Sequence, residues 1–313
     1  MKSKWVKGLF LLLILCAASL FIFRKPAKEV VYQQELGQLC WPTQFSSEND
    51  QLIISDYKND RILYKNGSQE WQRSPISLKG AHSIRYIKGW GYLIDDSEGD
   101  RLIKVKSLSD PQPQYLDNIA GKGLQRPHDI LDGGDGFAYI VDAHHLFRIR
   151  DFSGQGEILN FGNHPMGYVR ALALLDGKVH VISASRGEII RVDDFSKGQI
   201  TVFSTVAHKA DADAGAYGKT GPILNGVTQL KGYYYASSYF TPSYAPGYDT
   251  DTHRLIRWRT WQDYQQGKVE DVSDALPRGQ VPYFLSHDSQ RLMMTSYNHE
   301  KPCQGDIAFY LSL

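Results

Sequence analysis

Two histidines, an arginine, an asparagine and a tyrosine fall at matching places along this 313-residue chain: His82, His128, Arg170, Asn225 and Tyr283, with Trp41 at a sixth. Each stands about 12 to 15 positions before the end of a short strand-like segment that closes in Asp or Ser. If they converge, the pocket they form is rich in donors and electropositive. Arg170 offers a planar fork for a carboxylate or phosphate. His82 and His128 can donate or titrate, so charge on His128 would tighten an anion's hold below pH about 6.5. Asn225 and Tyr283 can fix orientation. The plainer alternative is that these groups satisfy one another and ordered water, as buried polar groups generally do.

Metal chemistry is the competing use of the same residues. A zinc site needs three or four ligands, and His82 and His128 could supply two, with Asp129, Asp142 or Asn225 completing the set. No third histidine falls at a matching place, so no cofactor is favoured, with zinc or calcium the ions to consider. Ser286-His287-Asp288 is contiguous, and neighbouring strand residues point to opposite faces, so it is no triad by itself. The sequence names no catalytic residue.

The elements that must position these side chains come in a repeat. One strand recurs as Arg61-Ile-Leu-Tyr64, Arg101-Leu-Ile-Lys-Val105, His145-Leu-Phe-Arg-Ile149, Glu188-Ile-Ile-Arg-Val192, Arg254-Leu-Ile-Arg-Trp258 and Asp306-Ile-Ala-Phe-Tyr310. Before each lies a second strand, as in "LIISD" and "YLIDD". Before that lies an alternating third, as in "HSIRYI" and "VRALALL". Units of about 40 to 45 residues with three or four antiparallel strands are the signature of propeller blades. The spacing predicts an all-β, six-bladed β-propeller over residues 26–313. Its last copy ends after its third strand, and "EVVYQQE" (residues 29–35) is left over at the other end. That piece is expected to close the last blade, which removes an aggregation-prone sheet edge.

The segments "SDYKNDRILY" and "DSEGDRLIKV" resemble NHL repeats, and the blade order resembles the SMP-30/gluconolactonase and paraoxonase-like six-bladed propellers. The resemblance covers most of residues 41–313. It implies that Trp41, His82, His128, Arg170, Asn225 and Tyr283 point into the central channel at its mouth, where that superfamily holds calcium. "RPHDI" looks like the third-blade entrance and Asn225-Gly226 like the fifth-blade metal ligand. The departures are Trp41-Pro42 where the lactonase pattern has Glu before Pro, and Arg170-Ala171 where it has Asn-Gly. Calcium takes six to eight oxygen ligands and a guanidinium repels it, so the calcium site looks dismantled. The leading expectation is therefore binding of a small polar or anionic molecule. The alternatives are a metal-dependent hydrolase (lactonase- or esterase-like) or lyase, and a protein-interaction scaffold.

Composition bounds the rest. Lys and Arg total 35 against 34 Asp and Glu, which argues against nucleic acid as a partner. Residues 1–25 read as a signal anchor or signal peptide: Lys2, Lys4 and Lys7 precede an uncharged run over residues 8–23, closed by Arg24 and Lys25. An uncleaved anchor holding the propeller on the exoplasmic side (periplasmic, extracellular or lumenal) is preferred over secretion after cleavage. With Cys16 in that run, Cys40 and Cys303 are left at the two ends of the repeat. They form a disulfide in an oxidising compartment, or stay separate buried thiols. Two insertions, residues 208–222 and 239–253, are expected to form rim loops for a protein partner.

Overall fold

The structure is a computed structural model in which residues 27–31, 37–205, 223–238, 254–298, 301 and 303–313 are described. The expected anchor and both rim insertions lie outside the described residues. Among the described residues no helix is long and apolar enough to cross a membrane.

Six four-stranded antiparallel sheets succeed one another around a central axis. Their innermost strands are Pro42–Glu48, Ala81–Ile87, Asp129–Asp132, Val169–Leu175, Leu224–Leu230 and Gln280–His287. Each is followed outward by its second, third and fourth strand, so contacts within a blade are local in sequence. The fourth strand of the sixth blade comes from the other end of the chain. Ala27–Val30 pairs antiparallel with Ile307–Ser312, in the register Ala27 with Ser312 through Val30 with Phe309. Closure by an N-terminal strand thus holds, and it begins two residues earlier than the apolar pattern placed it.

Flat sheets with two apolar faces can bury both only by stacking, and the core accordingly divides by interface. Ile53, Ile62, Ile84 and Ile94 fill the space between blades one and two. Comparable clusters fill the other five interfaces, the last joining Phe45 and Ile54 to Met293, Ala308 and Tyr310. Cys40 and Cys303 form a disulfide across the same closing interface. Such a bond suits an oxidising, exported location.

Acidic ends of the second strands anchor the chain as it enters the inner strands of blades one to three. Asp56 accepts the Cys40 amide at 2.7 Å and the Arg61 guanidinium at 2.6 Å. Asp96 accepts the Lys79 amide and Arg101. Asp306, just before the third strand of blade six, accepts the Trp41 amide at 2.6 Å. Asp142 accepts the amides of Gln125, His144 and His145. This explains why Asp recurs there: a buried carboxylate satisfies amides that a turn leaves without partners.

Candidate functional site

A defect in the sheet, repeated around the ring, aims side chains into the channel. The pairing of first and second strands slips by one or two residues between Pro42 and Gln44, Ala81 and Ile84, Val169 and Ala171, Leu224 and Gly226, and Pro282 and Leu285. The residues left over include Thr43, His82, Arg170, Asn225 and Tyr283. In blade three the His128 amide bonds to the Val141 carbonyl at 2.7 Å while Asp129 pairs with the same Val141. A bulge bends the strand and re-aims the extra side chain, which is why bulges gather near functional sites.

Thr43, His82, His128, Arg170, Asn225 and Tyr283 accordingly line one cavity in the channel. Five of these are residues singled out from the sequence. The sixth corrects Trp41: it stands 15 positions before Asp56, whereas Thr43 stands 13 before it, matching the 13 to 14 of the other blades. That tighter spacing was the available signal. Trp41 instead occupies the place of Gly80 and Arg126, two residues upstream of the bulge, and all three have positive φ (52°, 59° and 46°). At Gly80 a Cβ would lie 2.6 Å from the Tyr57 ring and 2.8 Å from Glu98, so the small residue is required there. Trp41 leans on Tyr57 and Tyr297, with ring centroids 6.3 and 4.8 Å away. It forms the rim, while the Thr43 hydroxyl donates to the Ala81 and His82 carbonyls at 3.1 Å.

Donor counting orders the contacts. Arg170 donates to the hydroxyls of Tyr168 (3.1 Å) and Tyr283. A guanidinium only donates, so the Tyr168 hydroxyl keeps its own hydrogen, which it can give to His128 Nε2 at 2.5 Å. In the tautomer that accepts it, His128 Nδ1 carries the proton. That N–H is buried with no partner, as is Asn225 Oδ1, whose amide nitrogen donates to the Pro282 carbonyl at 3.1 Å. The Ser97 hydroxyl donates to the Pro127 carbonyl, so it accepts from His82 Nδ1 at 2.7 Å. The imidazoles of His82 and His128 meet edge to face at 4.5 Å.

Burial holds both imidazoles well below the usual histidine range, and the positive charges of Arg170 and Arg126 push the same way, joined by His128 in the case of His82. This corrects the expected titration near pH 6.5. Both are neutral donors and acceptors at ordinary pH, and their depression reports chiefly their burial. Beside them Asp95 Oδ1 accepts the amides of His82 (2.6 Å) and Ser83 (2.7 Å), clamping that bulge. Burial raises the Asp95 carboxyl well above its usual range, against the pull of those two bonds.

The conditional metal set does not come together. Asp142 is spent on backbone amides, and Asp129 accepts the amides of Ile130 and Leu172 (both 2.8 Å). Among the described residues no three His, Cys, Asp or Glu side chains are close enough to share an ion. His82, His128 and Asn225 remain as neighbours in the cavity together with Asp129, whose carboxylate is engaged by the Ile130 and Leu172 amides and by Arg85.

The cavity is about 20 Å³, room for one water-sized group. The other end of the channel is wider, about 300 Å³, lined by Glu48, Arg85, Asp132, Thr228 and His287 among others.

The class these features define is a six-bladed β-propeller with a tight, donor-rich channel mouth. Solved structures share that architecture. A catalytically inactive virginiamycin B lyase from Staphylococcus aureus, crystallised with quinupristin, matches with a TM-score of 0.60 at 12% identity, over 92% of this chain and 99% of that one. A gluconolactonase from Xanthomonas campestris matches at 0.60 and 15%, over 88% and 87%. YCF48 from Cyanidioschyzon merolae matches at 0.51 and 9%, over 84% and 80%. At such identities the likeness establishes the fold. No protein-family model and no curated sequence matches the chain.

Proposed function

We propose that this is an exported propeller, tethered to a membrane by residues 8–23, that binds a small oxyanion-bearing molecule at the channel mouth. The supporting observation is His128 Nδ1, buried without a partner in the cavity that Arg170 and Tyr283 also line, which is an N–H donor in the tautomer whose Nε2 accepts from Tyr168. A buried donor left unsatisfied costs about 1 to 3 kcal/mol, which an incoming oxygen would recover. The cavity's size limits what enters to a terminal oxygen of a carboxylate or phosphate, with the rest of the ligand above the rim at Trp41 and Tyr57.

A lyase- or hydrolase-like activity is the second reading. It draws on the fold shared with a lyase and a gluconolactonase.

Thermal-shift screening against carboxylates and phosphates tests the binding. At least one should raise the melting temperature of the wild type. Arg170→Ala should weaken it roughly tenfold to a hundredfold, the worth of one charge-assisted contact. If no anion stabilises the protein, or Arg170→Ala responds as the wild type does, the channel is structural only.

A further inference from the structure

The polarity of the closing strand says which side of the propeller the tether leaves from. Inner strands begin at the channel mouth and run away from it, so in blade six Gln280 is at the mouth and His287 at the far end. His287 pairs with Leu292, and Leu292 with Leu311, which places Ser312 at the far end as well. Ala27 pairs with Ser312, and the strand then climbs towards the mouth through Val30. The Glu29 carboxylate meets Arg291, in the far-end turn, at 2.8 Å. Residue 27 therefore enters the propeller at the end opposite the candidate site.

Only residues 24–26 separate that point from the apolar run ending at Phe23. Four peptide units span at most about 14 Å. A seven-residue inner strand covers about 20 Å, so so short a connection cannot reach round to the mouth face. We infer that the far face of the propeller lies against the lipid surface and that the channel mouth opens away from it. The inference rests on the tether reading above.

The far face carries residues suited to a lipid boundary. Its turns between first and second strands expose Lys88, Lys178 and Lys231 beside Asp50, Asp135 and Asp176, and those between third and fourth strands add exposed Lys106, Arg150, Lys197, Arg259 and Lys268 with Asp151. Half-buried Trp90 and Trp261 lie on this side, with Leu174 at 45% exposure. Tryptophan favours the membrane–water boundary.

The test uses the full chain with Cys16→Ala, carrying either Lys88→Cys on the far face or His144→Cys on the mouth face, each labelled with a fluorophore. The proteins are reconstituted into phosphatidylcholine vesicles containing a headgroup spin-label quencher. Flotation with the vesicles checks the tether, and quenching checks the orientation. Floating protein with the Lys88→Cys label quenched several-fold more than the His144→Cys label supports the inference. Floating protein with equal quenching at the two sites, or with the greater quenching at His144→Cys, overturns the orientation while leaving the tether intact. Protein that does not float overturns both.

Discussion

The two ends of the channel are built from the same six strands and solve the burial of charge in opposite ways. At the far end Arg85 is matched: it meets Glu48 at 3.0 Å and Asp129 at 3.5 Å, donates to the Ile130 carbonyl, and rests on the Phe284 ring. At the mouth Arg170 is framed by the hydroxyls and rings of Tyr168 and Tyr283, next to two imidazoles that burial keeps uncharged. Carboxylates hold the one cation, and phenol hydroxyls and rings frame the other. The Arg85 cluster reads as a structural tie, and the proposed anion site lies at the mouth.

Breaking the tie should give the largest effect. Arg85→Met leaves Glu48 and Asp129 buried without their cation, and removing one partner of such a pair costs about 3 to 5 kcal/mol. Urea unfolding should register that loss, while any anion that stabilises the wild type should still stabilise the variant. A loss of anion response at Arg85 equal to that at Arg170 would erase the distinction between the ends.

The mouth face carries a covalent bond in addition to its ion pairs. Cys40 and Cys303 lie 263 positions apart, and replacing both with Ser should cost about 2 to 4 kcal/mol in unfolding free energy. Non-reducing peptide mapping of exported protein checks the bond directly.

Acidification acts on the buried imidazoles. A neutral, depressed imidazole binds its proton more readily in the unfolded chain. The stability it contributes is therefore complete above the unfolded pKa near 6.5 and declines as pH falls below that. His82 and His128 are depressed in this way, as is His180 between blades four and five, which burial lowers to about 4. For His180 the interval from 6.5 to about 4 corresponds to about 3 kcal/mol. His180→Phe, which keeps the stack on Trp261, should flatten the acid limb of a melting-temperature profile between pH 6.5 and 4. His128→Gln should flatten it in the same direction. A profile level down to pH 4.5 in the wild type would show these imidazoles to be open to protonation in the folded state.

What was legible in the sequence follows from how each feature is encoded. Blade count and closure rest on strand period and turn residues, which repeat six times, so one ambiguous unit is outvoted by the rest. His82, His128, Arg170, Asn225 and Tyr283 were legible because a bulge falls at a fixed distance before each second-strand end. The partners that give them their chemistry were not. Tyr168 lies two residues before Arg170 and Tyr57 just past Asp56, in loops with no periodicity to mark them. The neutrality of the histidines comes chiefly from burial, to which Arg126 and Arg170 add from different blades, and no local pattern reports either. Asp129 and Asp142 misled for a related reason: a carboxylate beside a histidine reads as a ligand until its backbone partners are known.

The smallest expected effect concerns the one position the spacing misassigned. Thr43 occupies the bulge of blade one, and its buried hydroxyl bonds to two carbonyls of blade two. Thr43→Val removes those bonds at nearly constant volume and should cost about 1 kcal/mol of stability. Because that hydroxyl is already engaged, anion affinity should change by less than about threefold, under 0.7 kcal/mol. Trp41→Phe, on the rim, should keep the aromatic contact with Tyr297 and alter affinity by a similarly small factor. If Trp41→Phe instead weakens an anion more than Arg170→Ala does, the ligand's main hold is the rim rather than the cavity. The mouth would then be a surface that carries an aromatic platform, and the buried donors beneath it would belong, like Arg85 at the far end, to the scaffold.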